Sequence, residues 1–293
     1  MRGYNPKEWL QVIFFIQKSD TLIKLGPFLV IIFIYSLGIA WLEMDYLKIG
    51  ENSWVQNIPI MHSLLSFVIS MLLVFRTNTA YDRWWEGRKL WGQLVNNSRN
   101  LALKLAGILD NSDEESRKFF RRTIPIYAFS LKEHLQSKVT LYMLDDKEDK
   151  YIKPEIDPEK HVPNQVAKLM FAKVNDLYIS KKITGDQLIV LNLELMSFTD
   201  ICGACERIKN TPIPYSYSSF IKKFILAYVV TLPLGYVFSL GYYAAPIVTF
   251  IFYVLASLEL IAEEIEEPFG TDANDLPMGK LSSNIQKHVE ELI

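Results

Sequence analysis

Three stretches of this 293-residue chain carry no charged side chain: Leu25 to Leu42, Asn52 to Phe75, and Phe224 to Leu258. A helix crossing a bilayer needs about 20 apolar residues. The first two stretches therefore predict one span each. The third runs for 35 residues, too long for one crossing and enough for two short ones. Pro233, Gly235, Gly241 and Pro246 offer places to kink or turn, and Gly241-Tyr-Tyr-Ala-Ala-Pro246 is the expected hairpin. The pattern thus predicts four spans. A soluble all-α protein with buried helices is the alternative, but buried core helices seldom run this long without a charge. The first span follows an amphipathic segment rather than a short basic leader, and no small-residue cleavage site follows it, so it is expected to stay in the mature protein.

Between the second and third spans the pattern changes to helical periodicity. Leu90, Leu94, Leu101, Leu105 and Ile108 recur mostly three or four apart and predict a helix from Arg76 to about Asp110. Asp110-Asn-Ser-Asp113 breaks it and supplies caps for a further helix over 114–138, with Pro125 as a kink. Residues 145–164 are polar and contain Pro154, Pro158 and Pro163, which predicts a loop. Helices follow at about 163–180 and 185–209. No flexible linker separates this module from the spans, so the helices are expected to continue straight out of the bilayer.

Charge sets the orientation. Residues 76–223 hold 24 of the 31 basic side chains. The loop after the first span holds one, Lys48, beside Glu43, Asp45 and Glu51, and the turn between the last two spans holds none. Basic loops stay on the cytoplasmic side, so the middle module, residues 1–24 and the C-terminus are all expected there. Half of the residues are hydrophobic, mean hydropathy is +0.12, and net charge is −2. A nucleic-acid-binding protein would show a basic excess, and two cysteines cannot make a disulfide scaffold.

Sites for chemistry are sparse. There is no phosphate-binding loop, dinucleotide fingerprint, His-Glu-x-x-His or nucleophile elbow. His62, His134, His161 and His288 are scattered along the chain. Cys202-Gly-Ala-Cys205 is the one compact motif; it lies in helical surroundings rather than a βαβ unit and lacks a second ligand pair for zinc. Its small residues suggest close helix packing. Arg83-Trp-Trp-Glu-Gly-Arg88 below the second span reads as an interfacial aromatic and basic belt. Glu259, Glu263 and Glu266 share one helical face in the acidic run that ends Glu266-Glu267. That run is either a solvated exit from the membrane or a polar contact with the belt at the same depth.

Three segments in this order carry a resemblance: Phe75-Arg-Thr-Asn-Thr-Ala-Tyr-Asp-Arg-Trp-Trp85, Ile213-Pro214 shortly after Cys202-Gly203, and Glu267-Pro-Phe-Gly-Thr-Asp272. Over residues 10–276 the chain resembles a bestrophin of the bacterial kind. The resemblance implies an all-α, homopentameric ion channel and not an enzyme. Five copies of the second span would surround one axial pore, and the middle helices would form a cytosolic vestibule. It divides the chain into residues 1–80 (N-terminal segment and first two spans), 81–222 (cytosolic module), 223–266 (last two spans) and 267–293 (cytosolic tail). The expected partners are the lipid bilayer, further copies of the chain and monovalent ions, with no nucleic acid, in a bacterial inner membrane.

The second span offers Phe67, Met71 and Phe75 at i, i+4 and i+8, with Ser63, Ser66, Ser70 and Asn78 nearby. Counting back from Arg83-Trp84 places the three on the family's hydrophobic neck, a constriction that gates by dewetting. Counting back from Cys202-Gly203 places the family's second, cytosolic constriction at Asp186, with Ile183 as the alternative one turn away. Asp186 also reads as a helix N-cap. Animal members conduct anions and a bacterial homologue prefers monovalent cations; a ring of Asp186 carboxylates points to cations here. The family's calcium clasp, an acidic run in animal members, is reduced to Asp272 and Asp275, with neutral residues between them. Calcium wants several charged oxygen ligands, and a helix-capping turn before Leu276-Pro277 is the alternative for this loop. A membrane scaffold and a Cys202–Cys205 redox protein remain as rival classes.

Overall fold

The computed structural model describes residues 21–48, 57–136 and 156–293. Those residues form eight α-helices and no strand: α1 Thr21–Trp41, α2 Ile58–Ile108, α3 Glu114–Leu135, α4 Val162–Ile179, α5 Gly185–Asn210, α6 Tyr215–Leu240, α7 Ala244–Glu266 and α8 Met278–Leu292. A π-helical turn, Leu42–Tyr46, extends α1. The N-terminal basic residues Arg2, Lys7 and Lys18, the start of the second charge-free stretch and most of the polar loop lie outside the described residues.

The expected continuity out of the bilayer is strongest in α2. It is 51 residues long, about 75 Å at 1.5 Å per residue, more than twice the ~30 Å hydrocarbon core of a bilayer. No Gly or Pro interrupts it between Pro59 and Gly87. The boundary drawn from sequence at residues 80 and 81 therefore falls inside one unbroken helix. Pro59 sits at the start of α2, where its missing N–H costs nothing. At the far end Arg117 closes the helix: its Nη2 donates to the Ala106 and Leu109 carbonyls at 3.0 and 2.7 Å. Asp113 then caps α3 by accepting from Ser116 N.

By length and apolarity alone, four stretches among the described residues can cross a membrane: 21–46, 58–108, 185–210 and 215–266. The last is two helices, of 26 and 23 residues, broken by a single 3-10 turn at Gly241–Tyr243. Gly241 has φ +54°, a conformation that suits glycine. The turn is shorter than expected, because Pro246 already lies in the first turn of α7. The 185–210 stretch is α5, expected in the middle module. Its apolar side chains Leu191, Leu195, Phe198 and Ile201 are buried in one core with α2, α3 and α4.

Two cores result. One joins α1, the first half of α2, α6 and α7 through Ile32, Ile69, Leu73, Ile225, Val229, Leu232 and Val248. His62, fully buried, ties α2 to α6 by a 2.9 Å hydrogen bond between its Nε2 and Thr231 Oγ1. The other joins the second half of α2 with α3, α4, α5 and α8 around Trp91, Phe120, Tyr127, Met170 and Phe198. The C-terminal residues, expected as a tail, form α8. Met278, Ser282, Ile285 and Val289 recur at helical spacing, and this one face packs on α2 and α3. Within Cys202-Gly-Ala-Cys205, Cys202 and Cys205 are buried in this core, whereas Gly203 is not required for close packing, since a Cβ there would meet nothing within 4 Å.

Candidate pore-lining helix and its junction

The buried face of the first half of α2 is His62, Ile69, Leu73, Arg76 and Ala80. Phe67 and Met71 lie two residues either side of Ile69, about 200° round the helix, and so face away from the core. Phe67, Met71 and Phe75 are 68%, 43% and 56% exposed in the single chain. The nearby hydroxyls do not make this face polar. Ser63, Ser66 and Ser70 donate to the carbonyls of Ile60, Ser63 and Ser66, each at 2.7 Å, and so spend their donors on their own helix. The expected neck residues thus form an apolar strip that no element among the described residues covers.

Just below, α2 is fastened to the end of α7. Arg76 is 1% exposed and lies between two carboxylates of α7, 3.4 Å from Glu259 and 2.7 Å from Glu266. Glu266 also accepts from Ile213 N at 2.8 Å, drawing in the α5–α6 connection. Arg83 donates to backbone carbonyls on both sides, Glu266 O at 3.0 Å and Ile208 O at 2.6 Å, and also to Thr211 O. Within the acidic run, Glu259 and Glu266 thus make the polar contact with α2, through Arg76, while the exposed Glu263 pairs with Lys222 and Glu264 with Lys24. Sequence reasoning placed the belt's charge at Arg83 and missed Arg76, whose signal was a lone Arg at the end of a charge-free stretch. The Pro268-Phe269 turn packs against Gly87, where a Cβ would stand 3.1 Å from the Phe269 ring.

The loop after this turn folds on itself. Trp84 Nε1 donates to Asn274 O at 3.0 Å, and Gln136 Nε2 donates to Gly270 O at 2.8 Å. Asp275 is buried, and its Oδ2 accepts from Asp272 N at 2.5 Å. Burial raises the Asp275 carboxyl to about 6, against the opposing hydrogen bond from Asp272. Asp275 therefore serves as an internal brace for the turn. Asp272 is exposed, and the pair gathers no third His, Cys or carboxylate ligand among the described residues.

Asp186 is exposed in the first turn of α5, but it is not the cap. Thr184 caps the helix, accepting from Gln187 N at 3.3 Å while Gln187 Oε1 accepts from Thr184 N at 2.9 Å. This capping box frees the Asp186 carboxylate from a local role. Asp186, Ile189, Leu193 and Met196 follow one another at helical spacing and are all exposed. Ile183, the alternative constriction residue, is 4% exposed and packed in the core of its own chain.

Cys202 and Cys205 are free and buried. Burial pushes the Cys202 thiol up to about 12, with Glu206 adding to the rise, and pushes Cys205 higher still. Neither is a ready thiolate. The histidines, scattered in sequence, are not all scattered in space: His134 and His161 meet on Glu206.

Compared with known proteins, residues 2–291 match the family model described as Bacterial/Fungal Bestrophin protein. A protein of Nostoc sp. named voltage-dependent anion channel-forming protein is 35% identical over 240 residues, covering 80% of this chain and 78% of its own. One of the same name from Synechocystis sp. is 30% identical, covering 99% and 93%. A crystal structure of a bacterial bestrophin homologue from Klebsiella pneumoniae, in a single-substitution variant, superposes with a TM-score of 0.81 at 26% identity, covering 92% of this chain and 98% of that one.

Proposed function

The chain belongs to the bacterial and fungal bestrophin family, and from that premise we propose that it is a pentameric ion channel of a bacterial inner membrane, with five copies of α2 around one axial pore. The observation that carries this reading is the one-sidedness of α2. One face is locked into the chain's own core, while Phe67, Met71 and Phe75 on the other are left for something outside the chain. In this reading α1, the first half of α2, α6 and α7 are the spans, and α3, α4, α5, α8 and the rest of α2 form the cytosolic module. Both termini lie in the cytoplasm. The alternative, that the exposed strip simply faces lipid, leaves a 51-residue helix without a reason to be continuous.

The neck acts by exclusion. A ring of Phe67, Met71 and Phe75 with its serine hydroxyls internally bonded offers an ion no replacement for its water shell, so the barrier is one of dewetting. Past the neck, Asp186 supplies the second constriction. A ring of carboxylates at a narrow exit concentrates cations and repels chloride, and we propose cation preference on that ground. The relatives' anion-channel names favour the opposite selectivity. The raised Cys202 thiol counts against a redox function.

Planar-bilayer recording on purified protein in a KCl gradient tests the whole reading. The parent should reverse towards the potassium equilibrium potential, and Asp186→Asn and Asp186→Lys should move the reversal potential towards that of chloride. Truncating Phe67, Met71 and Phe75 together to Ala should raise conductance or open probability. A parent without conductance removes the channel. Unshifted reversal in both Asp186 variants removes the aperture and the selectivity with it. A triple variant that conducts like the parent turns the α2 strip away from the pore.

A further inference from the structure

The end of α3, the start of α4 and the last turns of α5 meet at one point, and the three side chains there have the chemistry of a metal site. His134 Nε2 and His161 Nε2 each stand 2.6 Å from the same oxygen, Glu206 Oε1, and the two imidazole rings are 4.3 Å apart. The candidate ligand atoms all lie within 4.8 Å of one another. The side chains are 28–33% exposed, so solvent and a hydrated ion can reach them.

We propose that His134, His161 and Glu206 bind a first-row divalent cation, with Zn²⁺ the best match. Two imidazoles and one carboxylate are a borderline nitrogen–oxygen set, which suits zinc over calcium or magnesium. Three protein ligands with water in the fourth position complete a tetrahedron. Around an ion with bonds of about 2.0–2.1 Å the donors sit roughly 3.3 Å apart, so loading opens the present 2.6 Å contacts to Glu206 while the two imidazole nitrogens, within 4.8 Å of each other, take up the same spacing. Glu206 is already placed for this, since its Oε1 gathers both imidazoles on one side of the carboxylate. Cys202, one turn earlier, and the adjacent Cys205 are not ligands, since both are buried in the core.

Proton accounting gives the site a structural consequence. Without metal, His161 Nδ1 accepts from Asn164 N at 3.1 Å and so caps α4, which places the imidazole proton on Nε2. Metal at Nε2 moves that proton to Nδ1, where it no longer accepts from Asn164. The metal thus replaces the cap of α4 with a bond that joins α4 to α3 and α5.

Tag-free full-length protein, stripped with a chelator and titrated with ZnCl₂ by calorimetry, should bind one ion per chain. Glu206→Gln and His161→Asn should each weaken binding about tenfold or more, a loss that even outer-shell changes can produce. Asn is itself a good N-cap, so His161→Asn removes the ligand and keeps α4 capped. Cys202→Ser should bind like the parent. Co²⁺ in place of zinc should give visible d–d bands without a thiolate charge-transfer band. X-ray absorption on the zinc-loaded parent, showing only nitrogen and oxygen scatterers, tests the site without any variant. No saturable binding, unchanged affinity in both ligand variants, or sulfur in the metal's shell would overturn the assignment.

Discussion

One chemical change, glycine to alanine, should have three different outcomes at three positions. At Gly270 a new Cβ would stand 2.6 Å from Asp275 Oδ2 and 3.8 Å from Glu267 O. The carboxylate cannot yield without leaving Asp272 N, its hydrogen-bond donor. Losing a hydrogen bond and leaving a group unsatisfied costs about 1–3 kcal/mol. At Gly87 the Cβ would meet the Phe269 ring at 3.1 Å and Pro268 at 3.2 Å. Overpacking of that kind costs about 1–3 kcal/mol, offset by roughly 1 kcal/mol of helix propensity in the middle of α2. At Gly107, near the end of α2, nothing lies within 4 Å, so the propensity gain of up to about 1 kcal/mol stands alone. Each kcal/mol moves the melting temperature by about 2–4 °C in a chain approaching this size. Tryptophan-detected unfolding in detergent should therefore order the variants Gly107→Ala, Gly87→Ala, Gly270→Ala from highest to lowest, with the first at or above the parent. A Gly270→Ala protein that melts with the parent would refute the tight Asp275 turn.

Three further outcomes follow from the same geometry. Cys202 and Cys205 should resist iodoacetamide at pH 8 in the folded protein and react once it is denatured; rapid alkylation of the native form would contradict their burial. Asp275, raised from 3.8 to about 6, holds its proton more tightly folded than unfolded. Its contribution is therefore greatest below pH 3.8 and is lost as pH rises through 6. Asp275→Asn should remove this component, so that the melting temperature of the variant falls less than the parent's between pH 5 and pH 7. Reporter fusions at Asn52 and Asp149 should lie on opposite sides of the membrane, and the same side for both would sink the topology.

What could be read along the chain was whatever depends on near neighbours. The charge-free stretches, the turn at Gly241, the Asp113 cap and the approach of Glu259 and Glu266 to the base of α2 all announce themselves within a few residues. The C-terminal helix α8 was missed because only one narrow face of it is apolar, and its many polar residues read as a tail. The Asp186 cap was misplaced by two residues because Thr184 and Asp186 are both good N-caps, and only the Gln187 side chain, three residues after Thr184, decides between them. The His134–His161–Glu206 cluster could not be read at all. Its members are 27 and 45 residues apart, and nothing local to any of them signals that α3, α4 and α5 close on one point.

The unbroken run of α2 makes it a lever. Arg83, clamped to the Ile208 and Glu266 carbonyls, is the natural fulcrum. Phe67 lies 16 residues to one side and Leu105 lies 22 to the other, about 24 and 33 Å along the axis. A tilt of about 5° would swing Phe67 by about 2 Å and Leu105 by about 3 Å in the opposite direction. In the pentamer proposed above, sideways travel of 2 Å in each of five such rods would be enough to decide whether the Phe67, Met71 and Phe75 ring holds water. On that reading, anything that leans on the far arm, where α3 and α8 pack, would be mechanically coupled to the proposed neck through one continuous helix.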